Sequence, residues 1–507
     1  MGAVGEEVIT KVVGYKLDTF NSATSSPNLP QRVALFGEAN YANQATLDTT
    51  PYQITSAQQA GDRYGYGSPI YSVARILFPA SGGGIGNIPV VVYPQAQAAE
   101  ATSKIVRIVA TGTATGNGTH TIVIAGRNGL DAVFYDINVE EGDTTADISD
   151  KIETAVSAVL GSPVTSTSFD YHAQLETKWR GKTANDLVVS VNTNGDALGL
   201  SYAVTTTQTG NATPSIAAAL AAFGNTWNTI VINTYGTVTN IMDALEEFNG
   251  KPSATNPTGR FASTIMKPFV ALTGSTSADP SSITDTRLND VTIAICPAPN
   301  SAAFPFEAAA NMAVLYARKA QDTPELDVSG EFYPDMPTPA DGNIGVMATL
   351  ADRDRIVKKG CSTVDLVAGQ YKVQDFVTTY HKTGENPVQF RYVRNLYCVD
   401  MNVYYSYNLL VETDVVDHVI VNDNDFVSDL NVIKPKMFRQ LILAAINDLV
   451  QRKLLVDAAF TADNLIVRIS TTNPDRFEVS FRYKRSGIAR IVSTTAQAGF
   501  NLGTLTV

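Results

Sequence analysis

The stretch WNTIVINTYG (Trp227–Gly236), followed by the segment Thr239–Phe248, decides the fold class of this chain. The centre of the first stretch is a short apolar run rich in β-branched residues, which predicts a buried strand. The apolar residues that recur at helical spacing in the second segment are Ile241, Met242, Leu245 and Phe248. A buried strand followed by an amphipathic helix is the unit from which α/β sheets are built.

The same alternation continues on both sides of this stretch. Further strands are predicted at RVALFGEA (Arg32–Ala39), IPVVVYP (Ile88–Pro94), MKPFVALTG (Met266–Gly274) and DVTIAICPAP (Asp290–Pro299), and helices at Ser68–Phe78, Pro214–Phe223 and Phe304–Ala320. Repeated strand–helix order favours a doubly wound sheet. We therefore predict an α/β core built from residues 31–100 and 211–370.

The block 101–210 interrupts this alternation. It is rich in Thr, Gly, Asn and Val, and its short apolar runs are separated by polar turns. One helix is predicted at Thr145–Leu160, because Thr144 and Asp147 have the spacing of a capping box. We predict an inserted, surface-displayed β-rich domain.

The two ends of the chain have a different character. Residues 371–486 are predicted to form a C-terminal α+β domain, with a helix over Pro435–Lys453 and a half-buried strand in FEVSFRYK (Phe477–Lys484). Residues 1–30 and 487–507 are predicted to be extended β-prone arms, which can add to a sheet edge of the same or another subunit. The apolar residues expected to carry such pairing are Val8, Val12, Tyr15, Ile488, Ile491 and Val492. The whole chain is therefore predicted to be α/β and multidomain.

Composition excludes several classes of protein. The 507 residues carry a net charge of −12, which is the wrong sign for coating nucleic acid. The three cysteines (Cys296, Cys361, Cys398) are too far apart for a CxxC pair and are expected to be small buried side chains. Neither a signal peptide nor a membrane-spanning helix is expected, because the N-terminal residues and the apolar runs lack the required patterns.

No motif predicts catalysis or metal binding. The four histidines form no HExxH, HxH or HxxxH pair and are expected in surface positions or loops, and there is no GxSxG nucleophile turn. The cluster SGGGIGN (Ser81–Asn87) precedes its strand, so a turn is favoured over a phosphate loop. The run NDND (Asn422–Asp425) lacks the Gly and Glu of a calcium loop and is interpreted as a solvated turn. We expect no enzymatic activity and no cofactor.

Charge is distributed unevenly along the chain. Residues 434–490 contain 11 basic and 5 acidic residues, a net +6, which leaves −18 for the rest of the chain. This region is either a solvated face or a docking surface for an acidic partner. The candidate docking residues are Lys434, Lys436, Arg439, Arg452, Lys453, Arg482, Lys484 and Arg485.

Seven segments stand out in this order along the chain: WNTIVINTYG (227–236), CPAPNSAAFPFEAAANMA (296–313), LADRDRIVKKGCSTVDL (350–366), VQDFVTTYHKTGENP (373–387), IKPKMFRQLILAAI (433–446), NPDRFEV (473–479) and TTAQAGFNL (494–502). Together they resemble the contractile tail sheath proteins of long-tailed bacteriophages. The similarity covers about Trp227–Leu502 and is weaker over residues 31–100. The same family includes the sheaths of contractile bacteriocins and injection systems.

The resemblance implies a structural subunit in the tail of a virion. Such subunits form stacked, six-fold rings around an inner tail tube, with baseplate and tail terminator proteins as further partners, and assemble in the host cytoplasm. Their terminal arms are strands donated to neighbouring subunits, which implies that role for residues 1–17 and 487–507. Contraction then drives the tube through the host envelope for genome ejection. Under this resemblance, the eight candidate docking residues of 434–490 are predicted to face the inner tail tube. The resemblance implies no binding to nucleic acid and no direct membrane insertion.

Three alternatives remain open at this stage. In the first alternative, the particle is a bacteriocin or an injection system rather than a virus. The second is an α/β hydrolase-like or nucleotide-binding enzyme with a β-rich accessory domain, which needs a pocket with converging polar and titratable groups. The third is a displayed module in which residues 101–210 bind a cell surface.

Overall fold

The computed structural model describes residues 27–127, 133–385, 389–427 and 431–498. The described chain divides into two compact units. The large unit contains residues 29–402 and 485–498, and the small unit contains residues 27–28 and 403–484. The domain boundaries predicted above stay predictions.

Strands and helices alternate through most of the described chain. The strands are β1 (Val33–Glu38), β2 (Tyr52–Ile54), β3 (Val90–Gln95), β4 (Ile105–Thr111), β5 (Gly118–Ile124), β6 (Asp136–Val139), β7 (Val164–Phe169), β8 (His172–Thr177), β9 (Val189–Asn192), β10 (Ser201–Gln208), β11 (Ile230–Asn233), β12 (Val270–Ser275), β13 (Ile293–Pro297), β14 (Thr363–Val367), β15 (Gln370–Asp375), β16 (Val419–Ile420), β17 (Val432–Ile433), β18 (Leu455–Val456), β19 (Ile466–Ile469), β20 (Phe477–Ser480) and β21 (Lys484–Arg485). The α-helices are α1 (Ala57–Tyr64), α2 (Pro69–Leu77), α3 (Thr145–Ser157), α4 (Ala217–Ala221), α5 (Thr239–Asn249), α6 (Ser281–Thr284), α7 (Pro305–Asp322), α8 (Leu350–Lys358), α9 (Met401–Asp414), α10 (Pro435–Gln451) and α11 (Ala458–Asp463). A π-helical segment, Arg394–Asp400, leads into α9.

The core of the large unit is a six-stranded sheet in the order β13-β12-β11-β1-β3-β2. All neighbours are parallel except β2, which runs antiparallel to β3. The five parallel strands are buried along their whole length, as expected when helices cover the sheet. From β1 the chain proceeds to β3 on one side and to β11, β12 and β13 on the other, so the order reverses at β1. This is the arrangement of a doubly wound sheet.

An aromatic cluster fills part of this core. Phe36 on β1 lies edge-on to Tyr93 on β3 and to Phe223, with ring centroids 5.6 and 5.7 Å apart. Phe223 also contacts Phe248 and Phe269 at 5.7 and 5.8 Å. Phe36, Phe223 and Phe269 are fully or almost fully buried. Edge-to-face contact between such rings adds to the stabilisation from burial alone.

The block 101–210 contains two antiparallel sheets, in the orders β10-β4-β8-β7 and β6-β5-β9. Helix α3 packs against both of them, and the predicted capping box is present: Asp147 N–H donates to Thr144 Oγ1 and Thr144 N–H donates to Asp147 Oδ2. The residues predicted to be β-rich therefore form β-sheets.

Buried ion pairs connect this block to the parallel sheet's helices. Arg127, just after β5, donates to Glu307 on α7 at 2.7 Å and to Asp335 at 2.7 Å. Arg75 on α2 donates to the same two carboxylates at 2.8 and 3.0 Å. Buried charges need partners of this kind, because removal of one leaves the other uncompensated.

The small unit is built on helices. The buried residues of α10 are Phe438, Ile442, Ile446 and Leu449. Helical spacing in the sequence predicts one apolar face made of Phe438, Leu441, Ile442, Ala445 and Leu449. Of these, Phe438, Ile442 and Leu449 are buried, and Leu441 and Ala445 are half-buried. Phe438 contacts Tyr407 and Phe477 at centroid distances of 6.5 and 5.3 Å.

Several predicted elements are longer than the observed ones, as two examples show. The strand predicted over Trp227–Gly236 covers only Ile230–Asn233, because the Asn233 side chain bonds to Tyr235 N–H and Gly236 O and turns the chain. The helix predicted over Pro214–Phe223 covers only Ala217–Ala221, which begins without a side-chain cap. A short uncapped Ala-rich segment has little to hold further turns together.

Candidate assembly interface

The antiparallel pair β19–β20 presents backbone groups along both of its edges. Ser470 N–H donates to Arg476 O at 2.8 Å, which marks this pair as hydrogen-bonded. Hydrogen-bonded and non-bonded pairs alternate along an antiparallel ladder, so the facing pairs Ile469–Phe477 and Val467–Val479 are of the second kind. Their N–H and C=O groups point away from the partner strand. The pair can therefore extend into a larger sheet on either side.

A groove of about 760 Å³ lies beside β20 in the small unit. Tyr407 and Val411 of α9 form one wall, and Phe477 and Val479 of β20 form another. Its lining combines apolar side chains with charged ones such as Arg476. A groove beside a strand with outward-pointing backbone groups is a geometry that strand addition can use, since side chains of the added strand enter the groove while its backbone pairs with the edge.

The structure places the eight candidate basic residues in different settings. Lys436, Lys453, Arg482 and Lys484 are exposed, and Lys434, Arg439, Arg452 and Arg485 are half-buried. Four partners given by the structure are Asp425 O for Lys434 (2.6 Å), Ala462 O for Arg439 (2.7 Å), Asp448 for Arg452 (3.2 Å) and Asp457 for Lys484 (2.6 Å). In the large unit, both carboxylate oxygens of Asp400 accept from Arg485, at 2.6 and 2.5 Å.

These contacts show which of the basic residues already have a carboxylate partner. Arg452, Lys484 and Arg485 already have carboxylate partners within their own units, which offsets their charge. Lys436 lies on the first turn of α10 with an exposed side chain, and Arg439 follows three residues later. The role of all eight residues as a tube-facing surface stays a prediction, and Lys436 and Arg439 are the members best placed to test it.

The candidate arm residues are only partly within the described chain. Val8, Val12 and Tyr15 lie outside the described residues. Ile488 is half-buried, whereas Ile491 and Val492, which lie outside any helix or strand, are 89% and 83% exposed. Two neighbouring aliphatic side chains so fully exposed are unusual on a folded surface and suit a segment that pairs elsewhere. Their inter-subunit role remains a prediction.

The crevice at which doubly wound sheets bind ligands is largely filled in this chain. That crevice lies beyond the carboxyl ends of the strands where the order reverses, which here is next to Glu38. The loop 178–186 from the β-rich block occupies it: Trp179 is fully buried against Phe304, and its Nε1 donates to Thr183 Oγ1. A Cβ built on Gly181 would lie 3.6 Å from both carboxyl oxygens of Glu38, which shows how closely this loop approaches.

A polar cavity of about 400 Å³ remains beside this loop. Lys182, Asp186 and Tyr235 line it together with residues 274–277. Burial raises the pKa of Asp186 to about 6 and that of Glu38 to about 8. The described lining residues include no His or Cys, so this cavity contains no nucleophile–base pair of the Ser–His or Cys–His kind.

The other chemical features add little to this picture. Within the described ranges no helix has the length and apolarity needed to cross a membrane, and no group of three or more His, Cys, Asp and Glu side chains could hold a metal ion. The three cysteines are buried, as predicted. The expectation that the histidines are in surface positions or loops is wrong for His120 and His172, which are buried in β5 and β8; His120 bonds to Tyr202 Oη at 2.7 Å.

Comparison with known proteins bears on what these features do. The sequence is 23% identical over 479 residues to the Mu-like prophage FluMu tail sheath protein of Haemophilus influenzae, and the match covers 92% of each chain. This chain resembles a phage tail sheath protein over nearly its whole length. The resemblance predicted from the seven sequence segments is therefore confirmed, and it extends to the regions before Trp227. The sequence matches no protein-family model.

Solved sheath structures are similar to this chain at lower levels. The sheath tail protein of Desulfitobacterium hafniense has a TM-score of 0.46 and 11% identity, covering 93% of this chain and 100% of that one. The sheath tail protein of Listeria innocua has a TM-score of 0.43 and 10% identity, covering 91% and 93%. The helical sheath of the anti-feeding prophage in its contracted state has a TM-score of 0.41 and 11% identity, covering 98% and 100%. Since these TM-scores are below 0.5, the resemblance to tail sheath proteins rests on the Haemophilus influenzae relative.

Sequence reasoning missed the groove beside β20. Its walls come from α9 and β20, which are about seventy residues apart in the chain. The alternating apolar residues of FEVSFRYK signalled a half-buried strand, but they could not show which residues lie opposite its edge. The loop 178–186 was also missed as an element of the α/β core; its one sequence signal is Trp179, a large apolar residue in an otherwise polar stretch.

Proposed function

We propose that this chain is the structural subunit of a contractile tail sheath. In this proposal it polymerises as stacked, six-fold rings around an inner tail tube, and contraction drives the tube through the host envelope for genome ejection. The single observation that carries the proposal is the similarity to a phage tail sheath protein over 92% of both chains. Baseplate and tail terminator proteins are the proposed further partners, and the virion tail is the proposed location, after assembly in the host cytoplasm.

The geometry supports connection of subunits through shared sheets. The β19–β20 pair can accept a strand along the edge that faces the groove. The C-terminal segment of the large unit ends in irregular chain with exposed Ile491 and Val492. We propose that residues 1–17 and the part of 487–507 that follows Arg490 complete the β19–β20 sheet of a neighbouring subunit. Such backbone pairing keeps rings linked while side-chain contacts between them change.

We further propose that the chain has no enzymatic activity. The loop 178–186 enters the crevice that an α/β enzyme uses, and the residues that line the remaining cavity include no Ser–His or Cys–His pair. The polymer itself would do the mechanical work, since many subunits each contribute a small change in interface energy.

Microscopy of the assembled protein tests the function directly. The full chain is expressed with the tail tube protein of the same particle and examined by negative stain. Tubes with a regular ring repeat are expected, and a variant that lacks residues 1–17 should stay folded by circular dichroism but form none. A full chain that remains monomeric at high concentration with tube and baseplate present contradicts the proposed function. Normal tubes from the truncated variant contradict arm exchange alone.

A further inference from the structure

Both ends of the described large unit are attached to one short helical segment. This segment, residues 394–402, comprises the π-helical residues Arg394–Asp400 and the first residues of α9; we call it the anchor segment. The root of the C-terminal end begins at Arg485, and the root of the N-terminal end begins at Leu29. Each root bonds to side chains of the anchor segment.

The C-terminal root is held by charged and bidentate contacts. Arg485 donates to both carboxylate oxygens of Asp400, at 2.6 and 2.5 Å. Arg394 donates to the backbone O and to Oγ of Ser486, both at 2.6 Å. Charge-assisted, bidentate hydrogen bonds are the strongest kind that side chains make, so this root is firmly attached.

The N-terminal root is held by the same segment two residues further on. Leu29 N–H donates to Asn402 Oδ1 at 2.9 Å, in a fully buried position. Gln31 supports this contact, because its Nε2 donates to Leu29 O at 2.8 Å. Asn402 is itself oriented by a bond from its Nδ2 to Cys398 O at 2.7 Å. The two roots therefore bond to Asp400 and Asn402, which are next-but-one neighbours.

The anchor segment is fixed to the core of the large unit on its other side. Tyr397 Oη donates to Val291 O at 3.0 Å, just before β13. Cys398 Sγ lies 3.6 Å from Tyr316 Oη on α7. Residues 396–402 are all buried. A π-helical segment is a strained arrangement that often marks a functional position, and here it presents Arg394 and Asp400 toward the C-terminal root.

Beyond its root, the C-terminal segment is held to the large unit again at Arg490, and the described residues after it are exposed. Arg490 pairs with Asp327, donates to Ser329 Oγ at 3.0 Å and lies 4.0 Å over the Tyr392 ring. From Ile491 to the last described residue, Ala498, every side chain is exposed. The free part of this end therefore begins at residue 491.

We propose that the anchor segment is a shared attachment point that transmits pulling force from both terminal arms to the core of the large unit. This inference rests on the proposed function, in which neighbouring subunits pull on the arms during contraction. A pull on either arm then reaches the same rigid segment, and through Tyr397 and Cys398 it reaches the parallel sheet. Tension entering through one arm passes to the other without unfolding the chain between them.

Hydrogen exchange on isolated full-length subunits tests the shared attachment point without any assembly. Asp400→Asn removes the charge that holds Arg485, and exchange at residues 485–490 should rise about tenfold or more. Exchange at the Leu29 amide should rise as well, because this amide donates to Asn402 of the same segment, whereas the Gln31 amide donates to Gln321 on α7. The matched control is Asp457→Asn, which removes the carboxylate that pairs with Lys484, and it should leave residues 29–31 unchanged. Arg485→Lys, which keeps the charge but loses the bidentate geometry, serves if Asp400→Asn does not fold.

The outcomes separate this inference from the proposed function. A rise at residues 485–490 with no change at the Leu29 amide overturns the shared attachment point, because the roots would then be held independently. A coupled rise supports it, whether or not the wild-type chain forms tubes. Among chains that do form tubes, Asp400→Asn sheaths should assemble but break between rings on contraction. If Asp400→Asn sheaths contract and stay intact, the anchor segment does not transmit the pulling force.

Discussion

The parallel sheet of the large unit and the β19–β20 pair of the small unit satisfy their backbone groups in different ways. In the large unit, β12, β11, β1 and β3 each pair on both sides, and the sheet is buried along its length. In the small unit, β19 and β20 pair with each other, and the outer edge of β20 faces a groove. A sheet of two strands is marginally stable by itself. The first sheet can serve as a self-sufficient body, while the second is suited to completion by another strand.

Blocking the groove-facing edge of β20 is the sharpest way to break this comparison. Val479→Pro removes an N–H group that points away from β19, and proline is tolerated at a strand edge. The subunit should fold normally, yet tube formation with the tail tube protein should be lost. Negative-stain microscopy and circular dichroism measure the two properties.

The opposite edge supplies the matched control for that experiment. Val467→Pro removes the equivalent N–H group of β19 and should leave tube formation intact. Loss of tubes with Val467→Pro alone would assign the strand addition to the other edge. Normal tubes with both variants would show that this sheet accepts no strand.

A core substitution in the large unit should strongly lower the free energy of unfolding of the isolated subunit. Phe36→Ala removes the ring that packs on Tyr93 and Phe223, and it should lower the free energy of unfolding by about 3–5 kcal/mol. Denaturant unfolding of the isolated subunit measures this loss. Phe426→Ala, at a fully exposed position in the small unit, should stay within about 0.5 kcal/mol of the wild type. Equal losses in both variants would contradict the assignment of the core.

The sequence predicted the parallel sheet better than it predicted the small unit, and the reason is physical. Strands such as Val33–Glu38 and Val90–Gln95 are buried on both faces, so each one is a continuous apolar run that can be recognised alone. The capping box at Thr144 was equally local. The two-residue strands β16 and β17 have no such signature, because their pairing is set by neighbours in space.

The candidate interface shows the same limit. Alternation in FEVSFRYK predicted a half-buried strand, and the net charge of residues 434–490 predicted a basic region. Neither pattern could show that Arg485 pairs with Asp400, 85 residues away in the chain, rather than with a partner protein. Contacts between distant residues such as Leu29 and Asn402 leave no local signal, so the anchor segment emerged only from the structure.

Buried Glu38 should make the stability of the large unit depend on pH. Burial raises the pKa of this carboxyl to about 8, from 4.5 when it is solvated. The folded chain therefore keeps a proton that the unfolded chain releases, and stability falls as pH rises from about 4.5 to 8. The slope from this group is at most about 1.4 kcal/mol per pH unit. Glu38→Gln should flatten the pH dependence of the denaturation midpoint between pH 5 and pH 8.

The exposed Glu247 on α5 provides the control for this measurement. Glu247→Gln makes the same change at an exposed position and should leave the slope unchanged. A Glu38→Gln slope equal to that of the wild type would mean that Glu38 is ionised in the folded chain.

The smallest effects are expected at the basic surface of the small unit. Lys436 is exposed, and Arg439 donates to Ala462 O while remaining half-buried, so reversing both charges should weaken association with the tail tube. Exposed ion pairs contribute about 0–1 kcal/mol each, so each reversal should lower affinity by up to about fivefold. The loss should be greater at low salt, where screening is weak. Lys382→Glu, an exposed reversal in the large unit, is the control. Co-assembly of Lys436→Glu, Arg439→Glu subunits on tubes that is unchanged at low salt would place the tube-facing surface elsewhere and leave these side chains as a solvated face.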